Sequence, residues 1–230
     1  MGRLRHAAAV LAVVVLALAG CSDDGPDAGA DGDAGGDEGA GAIPGHATTS
    51  TFAAGGLDIE VPEGFTAIPL PSAGFGLAVP EGWEATVLTD AALDRLEALQ
   101  VSPGFLDAAR NAAGSGAVLY AAGVDGQGRV ADLKLMRIPQ PAAPGPAEVE
   151  AVARQALAAA PAGAELELRP DDAHPSARVT FRVGDGTVEA VGTQWLVAGP
   201  DAVFSLVVTS EDPDVHDELA ADVAGSLTFA

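Results

Sequence analysis

Residues 22–42, SDDGPDAGADGDAGGDEGAGA, set the strongest limit on what this chain can fold into. The segment holds seven acidic residues, seven glycines and five alanines, and it has no basic or large apolar residue. Such a segment cannot bury enough apolar surface to offset the entropy that ordering costs. We therefore expect a disordered acidic tether over residues 21–51, extended by its like charges, followed by a single globular domain over residues 52–230.

The residues before the tether have the features of a secretory signal peptide. Arg3 and Arg5 form a short basic start, and residues 7–19 are an apolar run of 13 residues. This run is too short to cross the roughly 30 Å of bilayer hydrocarbon, for which a helix needs about 20 residues. A basic start, a short apolar stretch and small residues before a cleavage point are typical of an exported protein. The pattern predicts a signal peptide over residues 1–20.

The only cysteine of the chain, Cys21, directly follows this apolar run. The sequence Leu18-Ala19-Gly20-Cys21 resembles a bacterial lipobox. The resemblance implies cleavage between Gly20 and Cys21, lipidation of the Cys21 thiol, and anchoring of the mature chain to the extracytoplasmic face of the cell membrane. Two acyl chains would hold it there durably. The alternative is an ordinary signal peptide with an incidental cysteine, and in either case a lone cysteine leaves no internal disulfide to support the fold.

The charge of the chain excludes some classes of partner. The precursor carries 11 basic and 33 acidic residues, for a net charge of −22. Loss of residues 1–20 would remove two arginines and no acid, which brings the net charge to −24. Nucleic-acid binding depends on Lys and Arg that neutralise phosphates, and anionic lipid heads likewise attract basic segments. We therefore expect neither nucleic acid nor an anionic lipid surface to be a partner of the domain.

Local patterns predict short-linked strands and four helices. One helix is capped by Thr89 or Asp90, a second begins at Ser102-Pro103, a third spans residues 147–160 and the last opens at Asp212-Pro213. Strands are predicted at 74–79, 83–88, 117–124, 130–138 and 165–168, followed by a meander of three strands within 178–210. Sequential strands joined by short turns favour an α+β domain in which helices flank an antiparallel sheet, as an α/β/α sandwich.

Two details of this pattern are specific enough to test. Asp185-Gly186 is a favoured two-residue hairpin turn, which places Arg182 opposite Glu189 and Val183 opposite Val188. In the last helix, the spacing of Val215, Leu219 and Val223 predicts that these three side chains point inward.

A short motif occurs twice near the start of the domain, as IEVPEGF at residues 59–65 and LAVPEGW at residues 77–83. Each copy is interpreted as a strand that is closed by a Pro-Glu-Gly turn and followed by an aromatic residue. Two copies do not make a repeat architecture, so the motif indicates only similar turn chemistry at two strand ends.

The order of elements resembles a known family. The segment FGLAVPEGW, a central helix that precedes a strand, a meander that carries GTQWLV and a last helix that closes with AGSLTF are similar to PsbP/Mog-type domains. Within this group, the chain resembles actinobacterial lipoproteins of the LpqN/LpqT type. It covers roughly residues 74–230 and leaves 52–72 as an addition, expected to form a strand pair or to pad the sheet edge. The resemblance implies a non-enzymatic, envelope-associated role, often the binding of a partner protein, and it transfers no catalytic residues.

No pattern in the sequence predicts catalytic, metal-binding or cofactor-binding residues. The stretch Gly114-Ser115-Gly116 is interpreted as a helix end and not as a nucleophile elbow, and GVDGQG at 123–128 as a hairpin turn and not as a phosphate loop. His174 and His216 lack the spacing of zinc ligands. The acidic stretch 211–218 is explained by helix capping, with a hard cation as the alternative. Trp195 is expected in the core.

These observations favour a membrane-anchored, extracytoplasmic lipoprotein whose acidic domain binds a partner protein of the envelope without catalysing a reaction. Two alternatives remain. One is a carrier that holds a lipid or small hydrophobic ligand between sheet and helices, which requires an apolar cavity of about 300–1,000 Å³. The other is a hydrolase, which requires a cleft where polar groups converge.

Overall fold

The computed structural model describes residues 50–99, 101, 103–124, 127–140, 142–170, 174–184 and 189–230. The predicted signal peptide, Cys21 and nearly all of the tether therefore lie outside the described residues. The proposed Asp185-Gly186 turn lies outside them as well.

Within these ranges the elements follow the order expected from the sequence. The helices are α1 Asp90–Ala98, α2 Pro103–Gly114, α3 Pro146–Ala159 and α4 Pro213–Gly225, with a short 3-10 helix at Pro71–Ala73. The strands are β1 Ser50–Ala54, β2 Leu57–Val61, β3 Phe65–Leu70, β4 Phe75–Pro80, β5 Glu84–Val87, β6 Ala117–Val124, β7 Val130–Pro139, β8 Glu165–Arg169, β9 Ser176–Gly184, β10 Glu189–Ala198, β11 Ala202–Ser210 and β12 Thr228–Phe229.

A seven-stranded antiparallel sheet, in the order β5-β6-β7-β11-β10-β9-β8, forms the centre of the domain. Successive side chains of a strand point to opposite faces, so neighbouring residues of β10 show what covers each face. Leu196 packs in a cluster with Val149 and Ala153 of α3. Trp195 packs in a different cluster with Ala220 and Val223 of α4. Helices therefore cover both faces of an antiparallel sheet, which confirms the expected α+β fold class.

A second sheet, in the order β12-β4-β3, shares the α4 face of the central sheet. The two sheets meet at Phe204 of β11, whose ring lies 5.3 Å from that of Phe75 in β4 and 4.8 Å from that of Phe229 in β12. The strands β4 and β5 flank the Pro80-Glu81-Gly82 turn as expected, but they belong to different sheets. This turn thus carries the chain from one sheet to the other.

The segment over residues 52–72, which the family resemblance left unexplained, adds strands to this face. β1 and β2 form a hairpin that begins at Ser50, and β2 packs on β4. The contact is close because Gly76 of β4 has no side chain: a Cβ there would lie 2.5 Å from Cδ1 of Ile59. The expectation of an added strand pair is confirmed.

The predicted register of the β9–β10 hairpin is wrong by two residues. Arg182 lies opposite Val191, in place of the expected Glu189, and Gly184 lies opposite Glu189. A shift of two residues keeps every side chain on the same face, so the alternation of polar and apolar residues cannot detect it. The close pairing of Phe181 with Gly192 fits only the observed register, because a Cβ on Gly192 would lie 2.2 Å from Cε2 of Phe181.

Candidate functional site

A cleft of about 530 Å³ opens at one end of the domain. Its walls come from four segments that are far apart in sequence: the turn after β2, the turn after β4, the adjoining ends of β6 and β7, and the first three turns of α4 with the residues that precede it. The lining combines carboxylates with apolar side chains. The size lies within the range of small-molecule and peptide pockets.

The duplicated Pro-Glu-Gly motif forms two adjoining turns of this cleft. Pairing of β3 with β4 places Phe65 opposite Pro80, and the backbone N–H of Glu81 donates to the carbonyl oxygen of Gly64 at 2.8 Å. Both turn glycines have positive φ, 77° at Gly64 and 81° at Gly82, which other residues rarely adopt. The interpretation as strand-end turns is confirmed. The sequence did not reveal that long-range pairing brings the two turns side by side.

Apolar side chains line the cleft beside these turns. Phe65 and Trp83 are half-buried and pack against the main core. The indole of Trp83 lies against the backbone of β6 where Gly123 leaves room, since a Cβ on Gly123 would be 2.2 Å from Cδ1 of Trp83. At the rim, Val124 is 66% exposed and Val215 is 48% exposed. Exposed apolar groups around a concave surface are typical of a binding site.

Two carboxylates of α4, Glu218 and Asp222, line the cleft one helical turn apart. Among the described residues, no cationic side chain forms an ion pair with either of them. Burial raises the pKa of Asp222, and the charge of Glu218 raises it further. Like charges four residues apart on a helix are destabilising, so this pair lowers the stability of the free domain. A bound cation would remove the repulsion between Glu218 and Asp222.

Arg129 supplies a positive charge to the cleft, but it is already paired. Its Nη2 lies 2.5 Å from Oδ2 of Asp212. Asp212 also caps α4, because its Oδ1 accepts from the backbone N–H of Asp214 at 3.0 Å. Glu211 accepts from the backbone N–H of Val130 at 2.8 Å. These contacts confirm the capping role expected for the start of this helix.

The positions of the carboxylates in the acidic stretch 211–218 bear on the alternative that this stretch binds a metal ion. Within the described ranges, no three His, Cys, Asp or Glu side chains form a group that could hold a metal ion. Asp212 and Glu211 are instead used by Arg129 and by the backbone of β7.

His216 and not Val215 is the first inward residue of α4, which corrects the sequence expectation. His216 is fully buried with Ala220 and Val223, and its Nε2 lies 2.9 Å from Oγ1 of Thr193 on β10. Val215 lies in the lining of the cleft. A rotation of the helix by one residue was not visible in the apolar pattern, because that pattern counts histidine as a surface residue. The hydrogen bond to Thr193 satisfies one ring nitrogen, whereas Nδ1 is buried without a hydrogen-bond partner among the described residues.

Burial lowers the pKa of His216, against an opposing effect of Asp217. Below the ordinary histidine pKa of 6.5, the imidazole of residue 216 takes up a proton in the unfolded chain but not in the folded chain. The stability of the fold should therefore decrease as the pH decreases. We expect the free energy of unfolding to drop between about pH 7 and pH 5, with a slope that approaches about 1.4 kcal/mol per pH unit for one such group. Urea unfolding of the wild type and of His216→Gln would measure this slope.

The matched control for this experiment is His174→Gln, because His174 is exposed and its ring lies 5.3 Å from that of Phe229 at the surface. The slope in this pH range should persist in His174→Gln and decrease in His216→Gln. Equal slopes in all three proteins would contradict a buried neutral imidazole at position 216.

The remaining candidates from the sequence have structural roles. The Oγ of Ser115 donates to the carbonyl oxygen of Ala112 at 2.7 Å at the end of α2, so it closes the helix as expected. Residues 123–128 connect the paired strands β6 and β7, although residues 125 and 126 lie outside the described set. Trp195 is 92% buried, in agreement with its expected core position, and the guanidinium groups of Arg169 and Arg178 lie 5.0 Å and 5.7 Å from its ring.

Sequence reasoning missed a polar cluster on the face of the sheet opposite α4. Asp132 is buried and accepts a hydrogen bond from Thr209, and the Nζ of Lys134 lies 3.5 Å from its Oδ2. Burial raises the pKa of the Tyr120 phenol, and Asp132 raises it further. These partners offset the free-energy cost of burying the Asp132 carboxylate.

The described residues contain no helix that is both long and apolar enough to cross a membrane.

Comparison with known proteins gives structural similarities at low sequence identity. No family model and no curated protein matches the chain. Similar structures include a protein of Bacteroides thetaiotaomicron (12% identity, TM-score 0.41), covering 73% of this chain and 49% of that one. The chain thus spans about half the length of that protein.

Two further similar structures are the proteins that the sequence resemblance names. Cyanobacterial PsbP from Synechocystis is 13% identical with a TM-score of 0.40, over 73% of this chain and 93% of that one. LpqN of Mycobacterium tuberculosis, a protein involved in cell envelope biogenesis, is 13% identical with a TM-score of 0.36, over 81% of this chain and 92% of that one. These similarities concern the fold alone.

Proposed function

We propose that this chain is an extracytoplasmic lipoprotein, anchored through Cys21, whose domain binds a partner protein of the cell envelope in the cleft and catalyses no reaction. The signal-like residues 1–20 and the Leu18-Ala19-Gly20-Cys21 motif support export and anchoring. The acidic, aromatic-lined cleft supports partner binding. The two parts of the proposal are independent and are tested separately.

The observation that carries partner binding is the Glu218–Asp222 pair. These two carboxylates lack a cationic partner in the described part of the chain, and they line the same cleft as Phe65 and Trp83. A Lys or Arg side chain of a partner would neutralise the pair and could lay its apolar stem or guanidinium plane against an aromatic ring. Charge complementarity of this kind favours fast association and a defined orientation.

The lining of the cleft distinguishes this proposal from the carrier alternative. A carrier for an acyl chain needs a mainly apolar cavity, whereas Glu63, Glu81, Glu218 and Asp222 all line this space. An acyl chain would strip water from these carboxylates without giving them a partner, which is costly. A cationic protein segment with some apolar surface fits both kinds of lining residue.

Photo-crosslinking in the native envelope tests partner binding at the cleft. Val124 at the cleft rim and Leu99 at the end of α1 are 66% and 68% exposed, so they form a matched pair of positions for a photoreactive amino acid. We expect a specific adduct from position 124 and none from position 99. The double substitution Glu218→Gln and Asp222→Asn should reduce the adduct at least tenfold, because a charge-assisted contact is lost.

The control removes the same charge elsewhere. Asp107→Asn with Glu165→Gln changes two exposed carboxylates outside the cleft and should leave the adduct unchanged. If both double variants lose the adduct equally, only net charge matters and the cleft is not the site. Equal labelling from positions 124 and 99 would also contradict the proposal.

One observation favours the hydrolase alternative. Glu218 and Asp222 are neighbouring carboxylates whose environments differ, and the pKa of Asp222 is raised. Glycosidases use a pair of carboxyl groups with different pKa values, often beside an aromatic side chain, for acid–base catalysis. We expect the purified mature chain to hydrolyse none of a panel of aryl glycosides. Turnover that disappears in Asp222→Asn but persists in Asp107→Asn would replace the binding proposal with an enzymatic one.

A further inference from the structure

The cleft contains two separate pairs of carboxylates. Glu63 and Glu81 occupy equivalent positions in the two adjoining turns, and Glu218 and Asp222 occupy successive turns of α4. Among the described residues, none of the four forms an ion pair with a basic side chain. The four carboxylates can carry four negative charges, so a single monovalent cation cannot neutralise both pairs.

The space that these pairs share is lined by apolar groups. Phe65, Trp83 and Leu219 line the cleft and pack against the same core cluster. The only basic side chain in the described lining, Arg129, is held by Asp212. A complementary ligand therefore has two positive groups and an apolar group that reaches the aromatic rings.

We infer that the cleft takes a bent basic segment of a partner protein, in which two Lys or Arg residues flank an apolar residue. This inference rests on the proposed function and specifies its partner. In an extended segment, alternate side chains lie on the same side and the middle one points away. A local bend or rotation of the segment is therefore required to present the apolar residue together with both cations. A linear polyamine offers the charges but no bulky apolar group for Phe65 and Trp83.

Capped synthetic peptides test the inference with the mature chain that carries Cys21→Ser, so that it can be purified without an anchor. The probe is Gly-Arg-Leu-Arg-Gly, and the comparison peptides replace either arginine by glutamine or replace leucine by serine. Trp195→Phe leaves Trp83 as the single fluorophore in the cleft. Calorimetry on the Cys21→Ser chain with both tryptophans provides a second measurement if Trp195→Phe fails to fold.

We expect the dibasic peptide to bind at least tenfold more tightly than either monobasic peptide, and several-fold more tightly than the serine peptide. Glu63→Gln with Glu81→Gln, and Glu218→Gln with Asp222→Asn, should each remove the advantage of the second arginine. Asp107→Asn with Glu165→Gln should preserve it.

The possible outcomes separate this inference from the proposed function. Equal affinity for dibasic and monobasic peptides would overturn the two-cation inference while leaving a cation site in the cleft. Spermidine that binds as tightly as the dibasic peptide would assign the cleft to a polyamine instead. Absence of binding by every cationic probe, in both measurements, would overturn the inference and the proposed function together.

Discussion

Cys21→Ser should transfer the protein from the membrane fraction to the soluble extracytoplasmic fraction or leave it as an unprocessed precursor. The thiol is the group that the lipobox resemblance assigns to the acyl anchor, and serine cannot form the thioether. Two acyl chains give durable membrane attachment, and a mature chain with a net charge of −24 has no electrostatic attraction to anionic lipid heads that could replace them. The effect should therefore be close to complete. Flotation of membranes and intact mass of the purified chain would measure it.

The control for this experiment is Ser22→Ala, which alters the neighbouring residue and keeps the thiol. That variant should remain on the membrane with an acylated N-terminus. Membrane retention of Cys21→Ser, together with an unmodified mass for the wild type, would show that attachment depends on something other than this cysteine.

Phe204→Ala should cost about 3–5 kcal/mol of stability, as expected for deletion of a buried aromatic side chain. Phe204 is 1% exposed, and its ring contacts those of Phe75 and Phe229 at the junction of the two sheets. Removal of the ring loses the free energy gained by transferring it from water to the core. It also leaves a cavity, because strands held in two sheets can close around the empty space only in part. For a domain of about this size, the thermal midpoint should fall by on the order of 10 °C. Chemical and thermal denaturation would measure both quantities.

Phe52→Ala is the matched control, since Phe52 lies on β1 and is 44% exposed. A substitution at an exposed position of this kind should change stability by no more than about 0.5 kcal/mol. Equal effects at positions 52 and 204 would mean that the β12-β4-β3 sheet does not depend on Phe204 for its packing.

Features with local causes could be predicted from the sequence. Thr89 caps α1, where its side chain accepts from the backbone N–H of Ala92 at 3.2 Å, and Asp212 caps α4. Capping residues, prolines in the first helical turn and short Gly-containing turns act over a few residues. The helices and most strands were therefore placed within a few positions, and the fold class followed from their order.

Features that depend on distant contacts could not be predicted in the same way. The sequence pattern gives no reason why β4 and β5 enter different sheets, because that choice is made by pairing of β4 with β3 and β12. Likewise, the burial of His216 depends on Thr193, which lies 23 positions away. The cleft combines both kinds of feature. Its turns could be predicted from the duplicated motif, whereas the contact between the two turns and the side of α4 that lines the cleft depend on tertiary structure.

The point at which the chain enters the domain has a consequence for access to the cleft. Ser50 pairs with Val61, two positions before Glu63, so the polypeptide arrives at the same end of the domain as the cleft. In a chain anchored at Cys21, the 28 residues from 22 to 49 would form the tether between the anchor and the domain, and its fully stretched length would be near 100 Å. The cleft would then lie no farther than roughly this limit from the bilayer. Only partners that come within roughly that distance of the membrane could enter it.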